Sequence, residues 1–381
     1  MPRLLDWSHE RLQAWLVERG LPSFRAGQIR QWLFEKRARD FDDMSDLPKS
    51  LRATLAGEFA LWTGGVAAHK RADDGTEKLL IQWADAHQIE CVLIHEGQRR
   101  TACISTQIGC AMGCVFCASG LEGVARNLTT GEILEQILRL NRLLAADERL
   151  SHIVVMGMGE PLANLEGLLP ALAVASSPQG LGISARRITI STVGLPSALD
   201  RLAAADCHYH LAVSLHAPND ELRNRLVPVN RNIGIAAIVA AADRYFERTG
   251  RRVTFEYVLL GGVNDRPRHA QELVKLLRGR TALVNVIPYN PVAGLPYRTP
   301  QARSLESFVA VLSQGGISVQ VRQRKGDKID AACGQLRRSM SSEVGSRTQG
   351  ARSQESEFRM RNAEATSSRL TRSQRRPNPE P

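Results

Sequence analysis

From about residue 101 onward the chain alternates between two kinds of segment, and that alternation limits its fold more than any other feature. Short runs rich in β-branched residues, ACIST, SHIVVMG, RRITIST, YHLAVSLH, RVTFEYVLL, ALVNVIPYN and ISVQVRQ, are separated by stretches with helical periodicity. One such stretch is TTGEILEQILRLNRLL, where Thr129 and Glu132 form a capping-box pattern ahead of Ile133, Ile137, Leu140 and Leu144. Repeated strand-then-helix units require a parallel sheet with right-handed crossovers, and about six of them curl into a full or partial barrel. In such a barrel the chemistry sits where the strands end. The polar and glycine-rich motifs fall there: GMGEP follows SHIVVM, ST ends RRITIST, SLH ends YHLAVSLH and YN follows ALVNVIP.

The segments on either side differ in pattern. Residues 1–60 predict a small helical unit, with Leu5, Leu12, Trp15 and Leu16 on a helical period, a Gly-Leu-Pro break, and a second helix through AGQIRQWLFEK. Arg25, Arg30, Lys36, Arg37 and Arg39 recur along it, either as a face for RNA or as a solvated helix surface. Residues 61–100 predict a β-hairpin extension, EKLLIQW and QIECVLIHE joined by an Asp-Ala-His turn. The barrel is expected over 101–336. Residues 337–381 hold ten Arg and five Glu among Ser and Gln, with almost no aliphatic residues, and predict a disordered basic tail.

The chain carries 50 Lys and Arg against 39 acidic residues, a net +11, which suits a partner covered in phosphates. The tail supplies +5 of that excess, so the body is only moderately basic. Seven cysteines, an odd number, fit a disulfide framework poorly and a reduced compartment well, and no apolar run is long enough for a membrane span. A cytoplasmic protein is the expectation. For Cys91 and Cys207 the expectation is a small buried hydrophobe.

Three of the cysteines stand apart from the rest. In CISTQIGCAMGCVFCASG the spacing C-x3-C-x2-C sets Cys110, Cys114 and Cys117 just after a strand run, with Gly109 and Gly113 available for tight backbone. Structural zinc usually takes four ligands in paired groups, and no second pair occurs here, although zinc or inert thiols stay open at this point. Three thiolates at this spacing leave one iron of a [4Fe-4S] cluster without a protein ligand. That iron can bind the amino and carboxylate groups of S-adenosylmethionine and pass an electron into its sulfonium bond.

Taken together, TQIGCAMGCVFCASG, GMGEPLAN, ITISTVG, AVSLHAPND with RLVPVNR, RVTFEYVLLGGVND, IPYNP and GDKIDAACGQL resemble the RlmN/Cfr family of radical S-adenosylmethionine RNA methyltransferases, over residues 3–336. The resemblance implies a partial (β/α) barrel of the radical SAM type, with the [4Fe-4S] cluster on the three cysteines. It implies S-adenosylmethionine contacts from Gly159, Glu160, Ser191, Ser214, Leu215, His216 and Asn290. It also implies that Cys333 takes a methyl group and carries it as a methylene to the base, and that Cys103 resolves the adduct through a transient Cys103–Cys333 disulfide. Glu90 would accept the ring proton. Chemistry explains the carrier: an adenine carbon is no nucleophile toward a sulfonium methyl, whereas a carbon radical adds to it.

By the same resemblance the substrates would be an adenine of 23S rRNA near the peptidyl-transferase centre and an adenine beside some tRNA anticodons, methylated at C2. The electron would come from a flavodoxin or ferredoxin, and the chain would act as a monomer. Methylation at C8, as in the Cfr branch, is the nearest alternative. A radical enzyme with a non-RNA substrate would not require the Cys103 and Cys333 pair, and an RNA-binding module with structural zinc would hold no iron.

Overall fold

Three short helices open the chain, α1 (His9–Glu18), α2 (Arg25–Phe34) and α3 (Lys49–Glu58). α1 starts where the Ser8 hydroxyl accepts the Arg11 N–H, a helix N-cap, and it buries Leu12, Trp15 and Leu16. Trp15 packs edge-to-face on Phe59, with ring centroids 5.2 Å apart. The computed structural model describes residues 1–205 and 208–336. Cys207 and the basic tail lie outside the described residues.

The basic residues of this unit do not form a bare stripe. Arg30 is buried over the Phe34 ring, Arg39 is bonded to Asp43, and Lys36 lies 3.1 Å from Asp46. Arg37 turns inward and donates to the carbonyls of Leu144, Ala145 and Glu148. Arg25 bonds Gln28 and the Asp46 carbonyl. Arg37 thus fastens the helical unit to the loop at residues 144–148, while Lys36 and Arg39 pair with acids at the surface.

The hairpin expected from EKLLIQW and QIECVLIHE is present as β2 (Glu77–Trp83) and β3 (Gln88–Glu96), paired antiparallel. It belongs to a longer meander, because β1 (Gly64–Arg71) pairs with β2 and β4 (Arg99–Cys103) pairs with β3. β1 escaped the sequence reading because GGVAAHKR alternates weakly and faces solvent along most of its length. Through β4 the meander continues into the parallel sheet.

A two-stranded ribbon, β5 (Gln107–Gly109) with β6 (Val124–Asn127), follows β4. Next come α4 (Thr130–Leu143), β7 (His152–Val155), α5 (Leu165–Ser176), β8 (Ile188–Thr192), α6 (Pro196–Ala204) and β9 (His210–Ser214). The chain goes on with α7 (Asp220–Leu226), α8 (Ile235–Thr249), β10 (Val253–Leu259), α9 (Pro267–Leu277), β11 (Ala282–Pro288), α10 (Ala302–Gln314) and β12 (Ser318–Val321). The capping box on α4 is formed as the sequence predicts: Thr129 Oγ1 accepts from Glu132 N, and Glu132 accepts from Thr129 N. Strands β4, β7, β8, β9, β10, β11 and β12 are adjacent in that order and parallel throughout.

Strand alternation separates two layers. On β10, Phe255, Tyr257 and Leu259 are buried in the core that the helices cover, while Thr254, Glu256 and Val258 face the concave side. Laid flat, β4 and β12 would stand about 29 Å apart, six spacings of about 4.8 Å. Thr101 and Cys103 of β4 nevertheless line one cavity with Gln320 and Arg322 from the end of β12. The sheet is therefore curled, and with β1 and β12 as its edges it stays open as a partial barrel. Among the described residues no helix is long and apolar enough to cross a membrane.

Candidate active site

The loop carrying Cys110, Cys114 and Cys117 runs between the two strands of the ribbon, which fix its ends: Cys110 N donates to Gly123 O at 2.8 Å. Gly109 and Gly113 have φ of +79° and +67°, left-handed values that let the backbone turn back on itself. All three cysteines line one cavity of about 150 Å³ at the C-terminal ends of the parallel strands, together with Gly159, Glu160, Ser191, Ser214, His216, Asn290 and Cys333. Burial pushes the Cys110 thiol up to about 12 and raises Cys114 and Cys117 as well, so binding iron there must displace protons. Among the described residues no three Cys, His, Asp or Glu side chains are gathered tightly enough to clasp a single ion. The ligands of an iron-sulfur cube bind separate irons and stand farther apart.

Gly159 has a structural reason to be glycine. Its φ is +104°, and a Cβ there would come 2.7 Å from the Gln107 backbone nitrogen. Glu160 next to it is buried, with one oxygen accepting from Leu162 N and the other from Val193 N. Desolvation raises its pKa against these bonds, so a cationic ligand would suit the carboxylate. The hydroxyls of Ser191 and Ser214 stand 3.4 Å apart across the ends of β8 and β9.

His216 is both hydrogen-bonded core and cavity lining. Its Nδ1 accepts from Val258 N at 3.1 Å, its ring meets Phe116 edge-to-face, and its φ is +59°, a value few non-glycine residues adopt. Burial, and then Arg223, lowers its pKa to about 3, which keeps it neutral. Leu215, expected at the cofactor, is fully buried and does not line the cavity; its backbone N–H donates to Glu256 O. A leucine side chain at this strand end turns into the hydrophobic core, so only its backbone is near the site.

Two observations make the cavity fit the expected cofactors. The three thiols converge with no competing acid other than Glu160 and Glu256. Asn290 donates through Nδ2 to Cys333 O at 3.3 Å, while its buried Oδ1 has no protein partner and needs a donor.

A second, larger cavity of about 450 Å³ runs along the concave side of the sheet and shares Met156, Glu256, Ile287, Asn290, Arg322 and Cys333 with the first. Cys103 lines this second cavity, so the two sulfurs assigned to carrier and resolver border one space. Burial pushes the Cys103 thiol up to about 12. The Cys333 loop is tied to the triad loop by Ala118 N to Gly334 O, 2.8 Å, and by Ser119 Oγ to Leu336 O, 2.7 Å. Glu90 is buried, not an exposed hairpin carboxylate: it is 1 % exposed, and Lys78 Nζ lies 2.8 Å from it. Cys91 is fully buried, and burial raises its thiol pKa.

Four further residues escaped the sequence reading. Arg223, fully buried, donates to the carbonyls of Val193, Ser214 and Leu215 and so holds the ends of β8 and β9 together. Glu256 accepts from Asn285 Nδ2, and the half-buried Arg322 brings a positive charge beside Cys333, Glu256 and Cys103. Lys78 is the fourth. A signal existed for two of them: a carboxylate inside the apolar run RVTFEYVLL must face a polar lumen, and Arg322 follows a strand, where chemistry belongs.

Comparisons with known proteins agree with this geometry. Residues 104–275 match the radical SAM superfamily, and residues 3–61 match the N-terminal domain of ribosomal RNA large subunit methyltransferases. A probable dual-specificity RNA methyltransferase RlmN of Rhodopirellula baltica is 64% identical over 335 residues, 88% of this chain and 90% of that one. The chain belongs to the RlmN family of radical SAM methyltransferases. An RlmN relative of Symbiobacterium thermophilum is 46% identical over 87% of this chain and 90% of its own. The crystal structure of a radical SAM methyltransferase from Sphaerobacter thermophilus superposes with a TM-score of 0.86 at 44% identity, covering 88% of this chain and 99% of that one. The fold is thus the partial barrel of the radical SAM type with a small helical N-terminal region. The cofactors of this superfamily member are a [4Fe-4S] cluster and S-adenosylmethionine.

Proposed function

We propose that this RlmN-family enzyme methylates C2 of an adenine in RNA, in 23S rRNA and in tRNA, with Cys333 as the carbon carrier. The observation that supports this most is the pairing of sulfurs: Cys333 lines the cavity of the cysteine triad, and it also lines the cavity that Cys103 borders. A radical enzyme acting directly on its substrate would need neither sulfur. When bound, the cluster on Cys110, Cys114 and Cys117 and its S-adenosylmethionine supply the methyl group, a 5′-deoxyadenosyl radical and a sink for the leftover electron. Gly159, Glu160, Ser191, Ser214, His216 and Asn290, together with the backbone of Leu215, would hold that cofactor.

The chain's own residues do the rest. Cys333 takes the methyl group on sulfur, yields one of its hydrogens, and joins its carbon to the adenine ring. Glu90 accepts the proton from the ring carbon. The Cys103 sulfur then attacks the Cys333 sulfur: an S–S bond forms, the C–S bond breaks with its electron pair going to the carbon, and that carbon takes up a proton. Burial holds the Cys103 thiol near 12, so it has to give up its proton as it attacks. The adenine must leave its stack to reach these sulfurs. A flavodoxin or ferredoxin would supply the electron, and since one chain carries every named residue, a cytoplasmic monomer suffices.

Mass spectrometry of RNA digested after reaction tests the reading. The product should co-elute with 2-methyladenosine, and a peak at 8-methyladenosine would reassign the chemistry to the Cfr type.

A further inference from the structure

Lys78 is a lysine on a buried strand face, with 7 % of its side chain exposed. Register explains its position. Lys78 pairs with Val92 across β2 and β3, and Val92 pairs with Cys103 across β3 and β4. Cross-strand partners share a face, as do residues two apart, so Lys78, Glu90 and Cys103 all stand on one side of the sheet. The Lys78 ammonium lies 2.8 Å from Glu90 Oε1 and donates to the Asp330 carbonyl at 2.9 Å. Asp330 is three residues before Cys333. One cation therefore links the carboxylate to the loop that carries the sulfur.

A carboxylate with 1 % exposure stays ionised only if a buried cation compensates its lost hydration. Glu90 can accept a proton only in that ionised form. We propose that Lys78 is a positioning residue that keeps Glu90 an ionised carboxylate fixed beside the Cys333 loop, so that the adduct can lose its ring proton and be released. This rests on the reading of Cys333 as carrier and Glu90 as acceptor. In the step concerned the ring C–H bond breaks, its electron pair stays in the ring, and the proton passes to a Glu90 oxygen. Lys78 itself touches neither the base nor the cofactor.

The test is a single-turnover reaction of the full chain with labelled RNA, followed on denaturing gels, with Cys333 methylation read by intact-protein mass spectrometry. Lys78→Gln keeps a donor for the Asp330 carbonyl but removes the charge. It should methylate Cys333 normally and release the RNA adduct about 10²-fold more slowly, the size of a lost general base. Glu90→Gln should behave the same way, and Lys78→Arg should restore release.

Wild-type release by Lys78→Gln would overturn the proposal. So would loss of Cys333 methylation with no adduct, which marks a loop anchor and nothing more. Should Lys78→Gln fold poorly, the double variant with Glu90→Gln removes both charges; it should match Glu90→Gln alone, and a further slowing would contradict a shared step. Absence of any adduct in a Cys103→Ala control would overturn the carrier reading itself, and this inference with it.

Discussion

Cys103→Ala is expected to leave RNA covalently attached to the protein. Joining the carbon to the base requires Cys333, whereas breaking the carbon–sulfur bond requires a second sulfur, and Cys103 is the other thiol bordering the shared cavity. The attachment should appear as a shifted band on a denaturing gel and should resist boiling, detergent and thiol reductants, because the link is a thioether rather than a disulfide. Turnover should stop after a single event per enzyme. The fold should survive, since replacing a small buried thiol by alanine removes one sulfur from a site that already borders a cavity. Continued multiple turnover without any shifted band would remove Cys103 from the mechanism.

Loss of the cluster is the other large effect. Cys114→Ala should reduce bound iron from about four atoms per anaerobically reconstituted chain to near zero, together with the brown absorbance and all methylation. Two remaining thiols cannot hold a cube whose fourth iron must stay open for S-adenosylmethionine. The protein should remain soluble and folded, because the loop ends are fixed by backbone pairing between β5 and β6 and by Val115 N to Leu226 O, none of which uses the Cys114 sulfur. Circular dichroism identical to wild type, with no iron and no activity, is the expected combination. An active, iron-containing Cys114→Ala enzyme would contradict the assignment of the triad.

The parallel sheet was legible because most of its strands are short runs rich in β-branched residues, bounded by turn residues and separated by helix-patterned segments. The strand-end motifs were legible for a related reason: a barrel exposes its interior only where strands stop, so GMGEP and IPYN had to lie near the cavity, and Glu160 and Asn290 do. What stayed hidden depends on distant pairing. Lys78 lies in an ordinary-looking hairpin strand, and its meaning comes from Asp330, 252 residues away. Arg223 sits on a helix with other charges, and only the tertiary fold turns it inward to three strand-end carbonyls. The N-terminal arginines were left open between an RNA face and a solvated surface, since charge counted along a helix does not show that Arg37 turns inward to backbone carbonyls while Arg39 pairs with Asp43 at the surface.

The carrier role of Cys333 can be tested through the hydrogens of the transferred carbon. With S-adenosylmethionine bearing a fully deuterated methyl group, a carbon that is first parked on Cys333, stripped of one hydrogen and finally reprotonated from water must reach adenine C2 with two deuterium atoms and one protium. Mass spectrometry of the released 2-methyladenosine should show that CHD₂ pattern, with the missing deuterium recovered in 5′-deoxyadenosine. A product methyl retaining all three deuterium atoms would mean direct transfer, and Cys333 would then carry nothing.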